Sequence, residues 1–341
     1  MIEFNNIKEK LIMPNKTILI TGASGFIGKT LIQTLYNSGY EVRGTVRSEK
    51  ALQFMLKFIE QFNLKNVTIY NLGDLTEKTD WSSVVTNVDT IIHCAARAHI
   101  LQETSADPLK AFRQINAQAT EHLANDAIIH NVRRIIFISS IGVLGNSSNT
   151  KPFTDRSLTN PLLPYAQSKL EAEQNLMQMS KSIEIVIIRP PLVYGPGVKG
   201  NFKKLLGLIE KGIPLPFGRV KNKRQFIGID NLVDFIIKCI TSTKAANHTF
   251  LVADKEIVTT TQLLQLLSKL MGKKLVLLPV PRQLLKWCLH GIGKAKMADQ
   301  LLNNLEIDSY NAKTLLNWEP PYTMLEQLKT TVEHHKEENT N

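Results

Sequence analysis

The chain has 341 residues, 43% of them hydrophobic and 21% charged, with 41 Lys and Arg against 30 Asp and Glu for a formal net charge of +11. This composition is ordinary for a globular protein, and no apolar run approaches the roughly 18 residues of a membrane span, which excludes an integral membrane segment. The cations are scattered and do not form a stripe interleaved with aromatics, so the charge implies a lysine-rich surface, compatible with an anionic small substrate, and no nucleic-acid partner.

The length favours one large α/β domain with a smaller appended part. Cys94, Cys239 and Cys288 are odd in number and far apart. They make neither a disulfide framework nor a metal motif, and they fit the reducing cytoplasm. Residues 1–15 read as an N-terminal extension without the apolar core of a signal peptide. The run "MPNKTILITG" from Met13 would begin a complete domain, so the first twelve residues are expected to be dispensable.

The first strand is "TILIT", and it runs directly into Gly22, Gly25 and Gly28 before a helix over Phe26–Asn37. Glycines at this spacing between a strand and a helix allow a tight turn. They let the backbone approach a pyrophosphate, whose charge meets the amides and positive dipole of the helix start at Phe26 and Ile27. The sequence "NSGY" stops that helix, with Gly39 taking the left-handed position. The second strand, "YEVRGTV", ends at Val46 and Arg47. A carboxylate at that point binds the ribose 2′-hydroxyl of NAD, whereas an arginine accommodates the 2′-phosphate of NADP, so NADP(H) is favoured with NAD(H) as the alternative. A solvated arginine at a strand end would look the same.

A helix after Ser48 leads to the strand "NVTIYN", followed by Asp74 and Leu75, which either meet the adenine or form a simple turn. The fourth strand, "VDTIIHCA", runs into Ala95, Ala96 and Arg97, where small side chains let the diphosphate lie against the backbone. His93, Cys94 and His99 could be drawn as metal ligands, but packing is the simpler reading because no second ligand pair accompanies them. A long helix is expected up to His130. The fifth strand, "RRIIFISS", ends at Ser140, and 25 positions later comes "YAQSK". Tyr165 and Lys169, four apart, share one helix face. An adjacent ammonium stabilises a phenolate, so the pair suggests a phenol acidified for proton transfer, with Ser140 holding the substrate oxygen.

The strand "IEIVIIRP" reaches Pro190. Beyond "YGPG" the alternation breaks, and "TTTQLLQLLSKLMGK" reads as a Thr-capped amphipathic helix ending at Gly272. The stretch "LVLLPVPRQLLKWCLHGIGKAK" mixes apolar and basic residues; it is expected to be buried in the smaller lobe, the alternative being a membrane-surface segment. The polar tail, residues 331–341, is expected to be flexible.

The glycine turn, Asp74, Leu75, Asn116, Ser140, Tyr165, Lys169 and "RPPLVYGPG" together resemble the extended short-chain dehydrogenase/reductase superfamily, in its nucleotide-sugar epimerase/dehydratase branch. The resemblance implies an α/β fold, a Rossmann doubly wound parallel sheet over residues 16–198 with a substrate-binding lobe mainly over 199–330. It implies that Asn116 steadies the active-site helix, that Lys169 also bonds the nicotinamide ribose, and that the smaller lobe takes a UDP-sugar through Asn201, the segment from Leu215 through Phe217 to Gly218, and Arg224. Asn201 as a helix cap and Arg224 as a surface charge remain open. A homodimer is common in the superfamily.

Two departures shape the functional expectation. Hexose 4-epimerases of this branch carry an acidic residue near Val46, and an Asn where this chain has Leu192. The chain looks closest to bacterial C4 reductases of UDP-4-keto-6-deoxy-sugars, the type that forms UDP-N-acetylquinovosamine for surface polysaccharide. The expected activity is therefore 4-keto reduction with NADPH. The alternatives are a UDP-hexose 4-epimerase with bound NAD and, from another class, a non-catalytic nucleotide-binding regulator.

Overall fold

A computed structural model describes residues 16–98, 107–291 and 295–340. Seven parallel strands form the main sheet: β1 (Thr17–Thr21), β2 (Glu41–Val46), β3 (Val67–Asn71), β4 (Thr90–His93), β5 (Arg134–Ile138), β6 (Glu184–Arg189) and, from far along the chain, β9 (His248–Leu251). Their order is β3-β2-β1-β4-β5-β6-β9. Two short strands, β7 (Val193–Tyr194) and β8 (Ile227–Gly228), pair in parallel as a second sheet.

In the inner strands the apolar runs are buried on both faces, as parallel sheets require, whereas the edge strands β3 and β9 are partly exposed. Successive residues point to opposite sides, so each run feeds two cores. Ile18, Ile20, Ile92, Ile136 and Ile188 enter one, which is closed by Leu31, Ile32 and Leu35 of the first helix. Leu19, Ile91, Ile135, Phe137 and Ile187 enter the other, closed by Leu123, Ala127 and Leu176. A third core gathers Tyr194, Phe202, Leu206, Leu264, Leu267 and Leu328. It lies under the helices Gly200–Glu210, Thr260–Met271 and Met324–Thr340. Phe26 packs against both the first and the third of these cores.

Local signals are largely realised. Gly39 sits at φ +87° after the first helix, and Thr259 and Gln262 form a reciprocal capping box before a helix that ends on left-handed Gly272. The long helix toward His130 is present over residues 108–129 and carries a π-helical turn, Gln114–Gln118, between Pro108–Arg113 and Ala119–Ile129. Two expectations need correction. The tail is helical to Thr340. Its polar composition conceals one packed face, on which Val332 and His335 are buried, while Lys203 pairs with Glu338 at 2.8 Å. The apolar-basic stretch is only partly buried: Leu285 and Leu289 are enclosed, whereas Val276, Leu278, Leu284 and Trp287 face solvent. The N-terminal extension and His99 lie outside the described residues.

Candidate active site

Every strand-linked candidate lies just past the C-terminal end of a parallel strand: Gly22 after β1, Arg47 after β2, Asp74 after β3, Ala95 after β4, Ser140 after β5 and Pro190 after β6. From β1 the chain winds one way through β2 and β3; from β4 it winds the other way through β5 and β6. The crevice where β1 and β4 part is the place where such sheets receive a ligand.

The glycine turn is shaped for that place. Gly22 has φ +70°, and a Cβ there would stand 3.0 Å from the Ala95 backbone, so both the turn and the neighbouring strand exclude a side chain. At Gly28 a Cβ would stand 2.4 Å from the Gly22 carbonyl oxygen, so this position lets the helix close on the turn. A Cβ on Gly25 would meet only the Gly22 carbonyl among the described residues. No side chain caps the helix that starts at Phe26. Its first amides, including those of Ile27 and Gly28, have no intrahelical acceptor and suit an anion. Half-buried Ala95 and Ala96 face this turn without bulk; Arg47 and Asp74 are exposed and Leu75 is half-buried. A dinucleotide fits this donor set, and the sole charged side chain directly after β2 is a cation.

A polar relay ties the crevice to the tyrosine helix, Pro164–Gln178. Thr21 Oγ1 accepts the Ala95 amide at 3.1 Å and bonds His93 Nδ1 at 2.7 Å. His93 Nε2 lies 2.9 Å from Thr120 Oγ1, which donates to the Asn116 carbonyl. Asn116, in the π-helical turn, accepts the Arg97 amide at 2.8 Å and donates to Ser168 Oγ at 3.0 Å. Ser168 donates in turn to the Tyr165 carbonyl at 2.8 Å. Burial, with Lys169 nearby, pushes His93 down to about 3 and keeps it neutral. Burial pushes the Cys94 thiol up to about 12. Both are packing groups, and among the described residues no three His, Cys, Asp or Glu side chains gather for a metal.

Ser140 Oγ accepts the Gly142 amide at 3.1 Å and caps a short 3-10 turn. A Cβ built on Gly142 would lie 3.3 Å from Ser140 Oγ and 3.5 Å from Ala166 Cβ, so the serine turn rests on the start of the tyrosine helix. The half-buried Tyr165 ring meets Phe112 edge-on at 6.0 Å, and the Phe112 ring also receives the Arg97 guanidinium at 5.6 Å.

The acidified phenol is expected from Lys169 and a cationic nicotinamide together, and the chain without a ligand does not produce it. Burial pushes Tyr165 up to about 12, with no contribution from Lys169. The lysine instead stands over the Phe137 ring at 3.8 Å. Burial brings it down to about 7, against the opposing pull of Glu173 and Cys94. The chain alone therefore supplies a neutral phenol and a lysine poised near neutrality.

Sequence reasoning missed Glu173. One turn beyond Lys169, it binds Arg189 through contacts of 3.0, 3.2 and 2.5 Å and accepts the Ser139 hydroxyl, all within the buried layer beneath the lysine. The spacing Lys169-x-x-x-Glu173 was the available signal.

In the third core the candidates are dispersed differently than expected. Leu215 and Phe217 are core side chains. Their main chain is used internally: Leu215 N–H donates to the Val276 carbonyl at 2.9 Å, Leu278 N–H donates to the Leu215 carbonyl at 2.9 Å, and Thr261 donates to the Phe217 carbonyl at 2.5 Å. The pairing with Val276–Leu278 was not visible from "GIPLPFG". Asn201 is exposed in the first turn of Gly200–Glu210, not at its cap, which is Lys199. Arg224 is buried. Its guanidinium donates to the Asn303 carbonyl at 3.2 Å, and burial brings it down to about 10, with no carboxylate among the described residues acting on it.

Residues 18–253 match the family described as NAD dependent epimerase/dehydratase. A UDP-glucose 4-epimerase of Vibrio cholerae is 40% identical over 327 residues, covering 93% of this chain and 95% of that protein. An N-acetyl-alpha-D-glucosaminyl-diphospho-ditrans,octacis-undecaprenol 4-epimerase of Escherichia coli O157:H7 is 23% identical over 94% of this chain and 95% of its own. Among solved structures, a UDP-glucuronic acid 4-epimerase from Bacillus cereus, in complex with UDP-glucuronic acid and NAD, superposes with a TM-score of 0.76 at 25% identity, covering 94% of this chain and 99% of that one.

Proposed function

Since the chain belongs to the NAD dependent epimerase/dehydratase family, we propose that it is a UDP-hexose 4-epimerase, inverting C4 of a nucleotide-linked sugar. The observation that carries this reading is the 40% identity with the Vibrio cholerae UDP-glucose 4-epimerase, over 93% of this chain and 95% of that protein. It displaces the reductase as the leading expectation.

The glycine turn, the helix start at Phe26 and Ile27, Ala95, Ala96 and Arg97 would hold the dinucleotide, with Arg47 and Asp74-Leu75 at its adenosine end and Pro190 near the nicotinamide. When bound, the nicotinamide supplies a hydride acceptor for C4 and a positive charge that favours a phenolate beside it. Tyr165 takes the proton of the C4 hydroxyl as the C–H bond is lost, and gives it back when the carbonyl is reduced from the other face. Ser140 donates to the C4 oxygen and holds it toward the phenol. Lys169, through its charge, lowers the cost of the phenolate once a ligand brings the groups together. Buried Arg224, without a carboxylate partner among the described residues, suits the diphosphate of the substrate, with Asn201 at the rim.

A second reading, C4 reduction with NADPH, is favoured by Arg47 after β2 and by Leu192. The two separate cleanly by experiment. An epimerase converts UDP-glucose to UDP-galactose without added cofactor and releases NAD on denaturation. Absence of both, together with NADPH consumption on a UDP-4-keto-6-deoxy-sugar, would overturn the proposal in favour of the reductase. Arg47→Asp is expected to weaken NADP(H) relative to NAD(H) by on the order of tenfold, since a bidentate cation is replaced by a repelling anion. Equal effects on both dinucleotides in a titration would remove Arg47 from the site.

A further inference from the structure

The site described above makes no use of the helix Arg282–Gly291 or the segment that leads into it. Leu285 and Leu289, one turn apart, are 5% and 8% exposed and pin the helix to the third core. The rest of it faces solvent, and that surface is divided. At 100° per residue, Leu284, Trp287 and Cys288 fall on one flank, whereas Arg282, Lys286 and His290 fall on the other. Leu284 is 53% exposed and Trp287 is 81% exposed. The other two tryptophans, Trp81 and Trp318, are buried at 0% and 5%. The segment leading into the helix adds further apolar surface: Val276 and Leu278 are 42% and 45% exposed, and the strand-like segment bonded to them through Leu215 carries Ile213, itself 43% exposed.

Charge selects the occupant. Between Glu256 and Asp299 the sequence contains no carboxylate, while Lys273, Lys274, Arg282 and Lys286 in the same stretch are all exposed. A second copy docked by a two-fold axis would set these cations against their own equivalents. An anionic bilayer meets both halves of the surface at once: headgroup charge attracts the lysines, and the interface is where indole and leucine side chains settle. No helix among the described residues is long and apolar enough to cross a membrane, so the contact would be peripheral and reversible. We propose that this face docks the protein on an anionic phospholipid surface.

The test is co-sedimentation of the full chain with vesicles of phosphatidylcholine, with and without phosphatidylglycerol. Binding is expected only with phosphatidylglycerol, reversed by salt, and accompanied by a blue shift of tryptophan emission that Trp287 alone is placed to give. Leu284→Ser with Trp287→Ser, and separately Lys273→Glu with Lys274→Glu and Lys286→Glu, should each weaken vesicle binding by roughly tenfold or more without moving the thermal midpoint. Failure to bind, equal binding to both vesicles, or binding indifferent to these substitutions would overturn the proposal. So would vesicle-free dimerisation that Trp287→Ser abolishes, which would assign the face to a second copy.

Discussion

Tyr165→Phe is expected to lower kcat by about 10²–10⁴-fold, the usual worth of a positioned acid-base group, with little change in KM. The substitution removes one oxygen and keeps the ring against Phe112, whose centroid lies 6.0 Å away, so the helix keeps its packing. What is lost is the atom proposed to carry the proton. The chain by itself makes this phenol harder to ionise, at about 12, while Lys169 is brought down to about 7. Proton transfer at neutral pH therefore depends on charge that arrives with the ligands, and the lysine must be protonated to add to it. Steady-state kinetics with UDP-glucose check the loss. Undiminished kcat would exclude Tyr165 from the chemistry.

Glu173→Gln is expected to destabilise the fold by about 3–5 kcal/mol, because it leaves a buried guanidinium without its counter-charge. The Glu173 and Arg189 side chains are only 4% and 9% exposed, so water cannot replace the lost carboxylate. Urea unfolding measures the loss. The double change Glu173→Met with Arg189→Met should cost less than the single one, since no unpaired ion then remains. The effect should also reach the site. Glu173 raises Lys169 toward its ordinary value, so its removal lowers the lysine further below about 7. The ammonium is then lost at lower pH, and the alkaline fall of activity moves toward acid. Stability loss with an unmoved pH profile would make Glu173 a purely structural partner.

Legibility in the sequence followed the range of the interactions. The strands of the main sheet are short β-branched runs, and the glycine turn, the Thr259 cap and Gly39 are decided by neighbours a few residues away; all were readable. The Tyr165 and Lys169 pair was readable for the same reason, since a spacing of four fixes a shared face. Long-range facts were not. Whether Lys169 leans toward Tyr165 or over Phe137 depends on a strand 32 positions earlier, and the main chain of Leu215 was claimed by Val276 and Leu278 from a separate segment. The π-helical turn at Asn116 has no compositional mark, because it is imposed by the bonds to Arg97 and Ser168. The tail misled because one packed face in a polar helix, carrying Val332 and His335, hardly alters its average composition.

The seventh strand has a consequence for synthesis. β6 ends at Arg189 and its outer neighbour, His248–Leu251, is made only after the first part of the third core has emerged. At ~5–20 residues per second, several seconds pass in which the nascent sheet presents an open edge of Val186, Ile187 and Ile188. Unpaired strands of this kind invite pairing between chains. A chain whose sheet formed at that stage would expose this edge until the four residues His248–Leu251 pair with it.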